Sequence, residues 1–315
     1  RTRRLESNTV RYGTMRENVL GLTAVMADGS ILSTGSRSRK SSSGYDLTHM
    51  LCGSEGTLGV ITELILRLHA KPKHISAAVC AFKSLRGAVE ACQKVAQTGL
   101  PVAKMELLDA TQVVAVNAYS NLSLPPNPHV FFEFHGTNQS ALEELAAEVG
   151  LLAAAGGGDQ FQWAADQHER EQLWIARKSA YFAAQALRPG CRSMPTDVCV
   201  PVSSLAECVM ETVADLERTQ LIGPIVGHVG DGNFHVLLLL DPGNVAQLQA
   251  AKAFSARLVE RALKLGGTAS GEHGVGYGKL EHMELEHGAS GLAAMRAIKL
   301  ALDPKNILNP GKLGS

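Results

Sequence analysis

The chain has 315 residues with 30 basic and 30 acidic side chains, and this zero net charge argues against a nucleic-acid surface or a general membrane-binding field. Its length allows two ordinary domains or one large one, and 45% hydrophobic with 5% aromatic residues reads as a globular mixture of α and β structure. No apolar run reaches the roughly 18–20 residues that cross a bilayer, and six dispersed cysteines without a C-x-x-C pair read as free thiols in a reducing compartment.

The chain opens Arg1-Thr-Arg-Arg4, expected either as the tail of a transit peptide or as a fragment end. Val19–Met26 and Ala27–Ser33 flank an Asp28-Gly29 turn, a hairpin signature. A polar loop covers 37–43, and Gly53-Ser-Glu-Gly-Thr-Leu-Gly59 leads into a β-branched, strand-like run, 60–68. Pro72 marks a boundary. Beyond it, strands are expected at 75–82, 103–107 and 130–135, with a helix over 84–97. Ser140, with Glu143 three residues on, predicts a capping box that opens a helix over 140–155, closed by Gly156-Gly-Gly158. Further helices are expected over 169–186, 202–218, 245–265 and 289–302, with strands at 197–200 and strand–turn–strand over 222–240. The order of elements reads as α+β with an antiparallel sheet.

Chemistry-bearing residues concentrate in Gly227-His-Val-Gly-Asp-Gly-Asn-Phe-His235 and Ser270-Gly-Glu-His-Gly-Val-Gly-Tyr-Gly-Lys279. His228 and His235 are seven apart, which on one uninterrupted strand would put them on opposite faces. They converge only if the chain reverses, and Gly230-Asp-Gly-Asn233 is strong turn chemistry. Two imidazoles and the carboxylate of Glu272 suit a divalent metal with an open position; zinc, manganese or ferrous iron all fit. His273, beside that carboxylate, suits proton transfer. The plainer alternative is two histidines that merely flank a hairpin.

Other motifs fail. A phosphate loop ending at Gly278-Lys279 would need glycine where His273 stands and Ser or Thr where Leu280 stands. No G-x-G-x-x-G lies between a strand and a helix, and no G-x-S-x-G elbow occurs, so a nicotinamide-binding Rossmann unit and a serine hydrolase lack support.

Arg11-Tyr-Gly-Thr-Met-Arg-Glu-Asn-Val19, Gly44-Tyr-Asp-Leu47 and Gly53-Ser-Glu-Gly-Thr-Leu-Gly-Val-Ile-Thr62 resemble the second half of the FAD domain of vanillyl-alcohol-oxidase-type flavoproteins. From 73 onward the chain resembles their C-terminal FAD-linked oxidase domain. The opening motifs and Asp303–Lys312 match the mitochondrial branch that oxidises D-2-hydroxy acids. The resemblance implies an α+β fold with three parts: half of an FAD-binding domain over 1–72, a ferredoxin-like cap and substrate domain over 73–288, and a C-terminal segment, 289–315, returning to the flavin. The family's glycine-rich pyrophosphate loop does not occur in this sequence, so the chain is expected to be a truncated form.

The resemblance also implies roles. Tyr12, Gly13, Thr14, Gly44, Tyr45, Asp46, Gly53, Ser54, Glu55, Gly56, Gly59, Ile61 and Asn309 would contact FAD. His228, His235 and Glu272 would hold zinc or manganese, His273 would be the base, Asn233 would orient substrate, and Arg177 would bind the substrate carboxylate. The implied reaction converts a D-2-hydroxy acid to a 2-oxo acid and passes electrons to an acceptor other than NAD, such as cytochrome c. Near Arg177 stand Lys178 and Arg188, whereas Ser193-Met-Pro-Thr-Asp197 has no lysine, which favours D-lactate and other monocarboxylates over D-2-hydroxyglutarate. The alternatives are a D-2-hydroxyglutarate or glycolate dehydrogenase of the same family, a catalytically silent or regulatory fragment without stable FAD, and a metallohydrolase on the same ligands.

Overall fold

A computed structural model describes residues 8–38 and 40–313; the arginine-rich start and part of the 37–43 loop lie outside the described residues. The chain divides into two compact units, one of residues 12–70 with 269–313 and the other of residues 8–11 with 71–268.

In the first unit, α1 (Thr9–Tyr12) is a single turn whose last residue opens the unit, and α2 (Met15–Asn18) follows. Thr14 caps α2 and Glu17 reaches back to its backbone, a complete capping box. Strands β1 (Val19–Val25) and β2 (Ile31–Gly35) form the expected hairpin. Its turn closes through Gly29 N–H to Met26 O at 3.0 Å, with Gly29 at φ +83° where a side chain would be strained. Helix α3 (Leu47–Leu51) is capped by Asp46 and packs Leu51 onto Val19, Leu22 and Ala24. Strand β3 (Val60–Leu66) pairs with β1, giving the order β2-β1-β3. Every residue of β3 is exposed within this structure, including Val60, Ile61, Leu64, Ile65 and Leu66.

The second unit is built on one large antiparallel sheet. Its elements run β4 (His74–Phe82), α4 (Leu85–Gln97), β5 (Val102–Leu108), α5 (Ala110–Ser120), β6 (His129–Gly136), α6 (Gln139–Ala155) and β7 (Gly158–Ala164). Then follow α7 (Gln167–Ala186), β8 (Arg192–Pro195), β9 (Val198–Cys199), α8 (Leu205–Thr219), β10 (Ile225–His228), β11 (Asn233–Leu240) and α9 (Val245–Lys264). The strand order is β7-β4-β6-β5-β10-β11-β8, with β9 also beside β11. Strands β4 to β7 with α4 and α6 make a β-α-β-β-α-β unit in spatial order β7-β4-β6-β5, which is the ferredoxin-like arrangement. Side chains alternate between faces. Ala77, Val79, Leu108, Phe131, Val226 and Leu237 meet Val113 and Val116 of α5 and Trp174, Ala180 and Ala183 of α7 in one buried cluster. Phe82, Met105, Leu107, Phe132, Phe134 and Phe234 are also fully buried.

Three local expectations need correction. Helix α6 is capped by Asn138, whose Oδ1 accepts from Ala141 N–H at 2.8 Å, and Ser140 lies inside the helix. Both are good capping residues, and the earlier one wins because its side chain reaches the third helical amide. Helix α5 is a further element, capped by Asp109, and β7 is a further strand that begins directly at Gly158.

The chain rejoins the first unit at Ala269, and the second unit ends at Thr268. Helix α10 (Met283–Leu302) spans a kink at Gly288, whose φ of +68° is non-helical. That break explains the expected start at 289. Lys299, itself buried, donates to Thr57 O at 2.8 Å and to Leu308 O at 2.7 Å and pairs with Asp303, fastening the tail to the loop after α3. Asp303 in turn accepts from Ile307 N–H and Leu308 N–H. Among the described residues no helix is long and apolar enough to cross a membrane.

Candidate active site

The β10–β11 hairpin delivers what the histidine spacing requires. His228 pairs with Asn233 and Val226 with His235, so His228, Asn233 and His235 share one face. The turn is tight: Asp231 N–H donates to His228 O at 3.2 Å, and Gly232 sits at φ +84° with no room for a side chain, since a Cβ there would lie 2.0 Å from Val200 O. The imidazoles meet edge to face with centroids 5.7 Å apart.

Each ring is oriented by an acceptor. His235 Nδ1 donates to Thr196 O at 2.9 Å, and His228 Nδ1 donates to the carboxylate of Glu106 at 2.8 Å. A carbonyl and a carboxylate only accept, so both rings carry their proton on Nδ1, and Nε2 is the nitrogen that would bind a metal. This is the arrangement that metal-ligating histidines ordinarily show, and the residues fit a divalent ion. Asn233 is buried; its Nδ2 donates to Asp197 Oδ1 at 3.0 Å and to Val198 O at 2.7 Å, while its Oδ1 has no hydrogen-bond partner among the described residues.

Arg177, on α7, donates through Nε to the other oxygen of Glu106 at 2.8 Å. The guanidinium borders a cleft of about 340 Å³ between α7 and strands β5 and β6, together with Lys178, Trp174, Lys104 and Glu133. Lys104 lies over the Trp174 ring at 5.1 Å and pairs with Glu133 at 2.8 Å. Burial alone would raise the pKa of Glu133, but hydrogen bonds from His135 and Lys104 outweigh it and hold the carboxyl below the usual range. Arg188 is engaged elsewhere, with Asp241 and Leu239 O. None of the six cysteines forms a disulfide; burial pushes the Cys80 thiol up to about 11 and Cys199 and Cys208 up to about 12, which keeps these three protonated at neutral pH.

In the first unit, the residues expected around a flavin fall on the stretches 12–14, 44–46 and 53–61, with Asn309 in the C-terminal tail. Gly13, Gly44, Gly53 and Gly56 all have positive φ, and nothing lies within 4 Å of where a Gly44 Cβ would be. Tyr45 beside it is 95% exposed. Such open backbone fits a cofactor lying along it, and Ile61 stands on the exposed strand β3. Gly59 is tightly packed against Ala24, Leu51 and Met26. Tyr12 stacks edge-on against His69 at 5.0 Å, Thr14 and Asp46 act as helix caps, and Ser54 is buried with its carbonyl accepting from Thr57. Glu55 does more than the sequence indicates. Its carboxylate accepts from Val275 N–H at 2.7 Å and Gly276 N–H at 3.0 Å, and its carbonyl accepts from Asn309 Nδ2 at 2.5 Å. The clue is its backbone: Glu55 and Asn309 are both non-glycine residues with positive φ, +54° and +43°. In this way Glu55 organises the loop that carries Glu272 and His273, whose side chains lie 3.4 Å apart.

A model of FAD linked oxidases, C-terminal domain, matches residues 71–313. The chain belongs to the FAD-linked oxidases. Among its relatives, the probable mitochondrial D-lactate dehydrogenase of Danio rerio is 47% identical over 98% of the chain and 62% of that protein. The mitochondrial D-lactate dehydrogenase [cytochrome] of Arabidopsis thaliana is 42% identical over 99% of the chain and 55% of that protein. The chain thus spans little more than half the length of these relatives. The crystal structure of p-cresol methylhydroxylase with substrate bound superposes with a TM-score of 0.72 at 17% identity, covering 98% of this chain and 68% of that one, which places the chain in the vanillyl-alcohol-oxidase-type fold.

Proposed function

We propose that the chain is the substrate-side portion of a mitochondrial FAD-dependent dehydrogenase that oxidises D-lactate and related D-2-hydroxy acids to 2-oxo acids, with cytochrome c or a similar carrier as electron acceptor. The names of the relatives support the activity and the compartment. The observation that carries the reading is the pair His228 and His235, both fixed through Nδ1, with His228 sharing Glu106 with Arg177.

Arg177 binds the substrate carboxylate through its Nη nitrogens, since Nε is held by Glu106. Asn233 offers its Oδ1 to the substrate; a buried acceptor without a partner is the mark of a group kept for a ligand. His228, His235 and Glu272 would hold zinc or manganese, which would supply Lewis acidity toward the 2-hydroxyl. His273 takes the hydroxyl proton, because an alcohol is far too weak an acid to lose it unaided at neutral pH. Tyr12, Gly13, Thr14, Gly44, Tyr45, Asp46, Gly53, Ser54, Glu55, Gly56, Gly59, Ile61 and Asn309 would hold FAD, which would supply two-electron acceptance.

Lys104 and Lys178 share the cleft with Arg177, an observation that favours a substrate with a second carboxylate. Turnover of D-lactate against D-2-hydroxyglutarate by the purified chain decides between them. The proposal expects the higher kcat/KM with D-lactate, and a preference for the dicarboxylate would overturn that assignment.

A further inference from the structure

We infer that Glu106 is a positioning residue that sets the metal-binding imidazole and the carboxylate-binding guanidinium with a single buried side chain. The inference rests on the functional reading above and deepens it. Glu106 lies on β5, where Leu108 pairs with Val226 of β10, so Glu106 falls opposite His228 on the same sheet face. Its side chain is 1% exposed. A carboxylate withdrawn from water to that degree is tolerated only when both oxygens are satisfied, and here one accepts from His228 Nδ1 and the other from Arg177 Nε, each at 2.8 Å.

The consequence is geometric. The two oxygens belong to one rigid, planar group, so the plane of the His228 ring and that of the Arg177 guanidinium are fixed relative to each other. One partner comes from the end of β10 and the other from the middle of α7, elements from opposite layers of the unit. The carboxylate therefore acts as the pin that holds a helix-borne substrate contact in register with a sheet-borne ligand. It also selects the His228 tautomer that presents Nε2. No sequence motif marks this residue, since it is one glutamate in an apolar strand.

Glutamine keeps the shape of this side chain but cannot keep its chemistry. One end of the amide still accepts, whereas the other presents N–H groups to a donor on His228 or Arg177. Zinc affinity of the full chain, measured by competition with a chromophoric chelator, reads the effect without reference to turnover. Glu106→Gln is expected to weaken zinc about 10–100-fold, the usual consequence of losing the partner of a metal-bound histidine. Glu211→Gln, which removes a carboxylate paired with Arg261 between α8 and α9, should leave zinc affinity unchanged. Arg177→Met supplies a second test on a side chain that is no metal ligand, and one that applies even where Glu106→Gln does not fold. Freeing one oxygen of Glu106 should loosen His228 and weaken zinc measurably. If His228→Ala and His235→Ala abolish zinc binding while Glu106→Gln and Arg177→Met bind like the parent chain, the pin does not exist although the metal site does. If the two histidine variants bind zinc normally, the metal reading itself fails and the role of Glu106 fails with it.

Discussion

The two units hold their candidate functional residues in contrasting ways. In the second unit, His228, Asn233 and His235 stand on adjacent strands of a sheet with a buried cluster under α5 and α7, and each is tied by a hydrogen bond to a buried acceptor. In the first unit, the candidate flavin contacts sit on loops whose backbone takes left-handed conformations, around a small sheet whose β3 is exposed along its length. Ladder hydrogen bonds and side-chain packing therefore fix the geometry of one set. A few point contacts, chiefly those of Glu55 and Lys299, fix the other. The difference teaches that the candidate metal and substrate ligands of the second unit are preorganised by strand register, whereas the candidate flavin contacts rest on loop conformation.

The contrast can be broken most directly in the cores. Phe132→Ala, in the middle of β6 and fully buried, should cost about 3–5 kcal/mol in urea unfolding. A loss of under about 1 kcal/mol would mean that the large sheet is not the rigid element described here. Lys299→Met, in the first unit, should lower the unfolding midpoint by less than Phe132→Ala, because it leaves the buried Asp303 carboxylate without its cation but keeps the apolar packing. Burial acts to raise the pKa of Asp303, but Lys299 and the Ile307 and Leu308 amides hold it below the usual value. A depressed folded pKa means that this stability is present above the unfolded carboxylate value of about 4 and is lost as pH falls through the folded one. Asp303→Asn should accordingly flatten the acid limb of a stability-against-pH curve, and an unchanged limb would remove Asp303 from the account.

Gly232→Ala is smaller in energy and more local. Its positive φ and the closeness of Val200 O predict a cost of about 1–3 kcal/mol together with weaker zinc binding, since the turn sets where His228 and His235 meet. Stability loss with unchanged zinc affinity would separate the turn from the site. Ile65→Thr, on the exposed strand, is expected to stay within about 0.5 kcal/mol. A larger loss would show that β3 is covered in solution.

What the sequence disclosed follows the same division. The hairpin around His228 and His235 was readable because an odd spacing and a glycine-rich turn leave one geometry. The β-α-β order and the helices expected over 84–97 and 169–186 announce themselves through periodicity, whereas their caps, Ser84 and Asp166, emerge only in the structure. Helix α5 did not, because Ala110-Thr-Gln-Val-Val-Ala-Val116 is rich in β-branched residues and lacks a clear amphipathic stripe. Glu106, and the pairings of Glu55, were opaque for a different reason. Their partners lie far along the chain, at Arg177 and His228 and at Val275 and Asn309, and only tertiary pairing brings them together.

The most direct test of the central claim is the visible absorption of the purified chain before and after anaerobic addition of D-lactate. The account predicts a flavin band that D-lactate bleaches and L-lactate does not, with Arg177→Met retaining the band but resisting bleaching at low substrate. A chain that takes up no flavin, or that carries flavin unaffected by D-lactate, would contradict it.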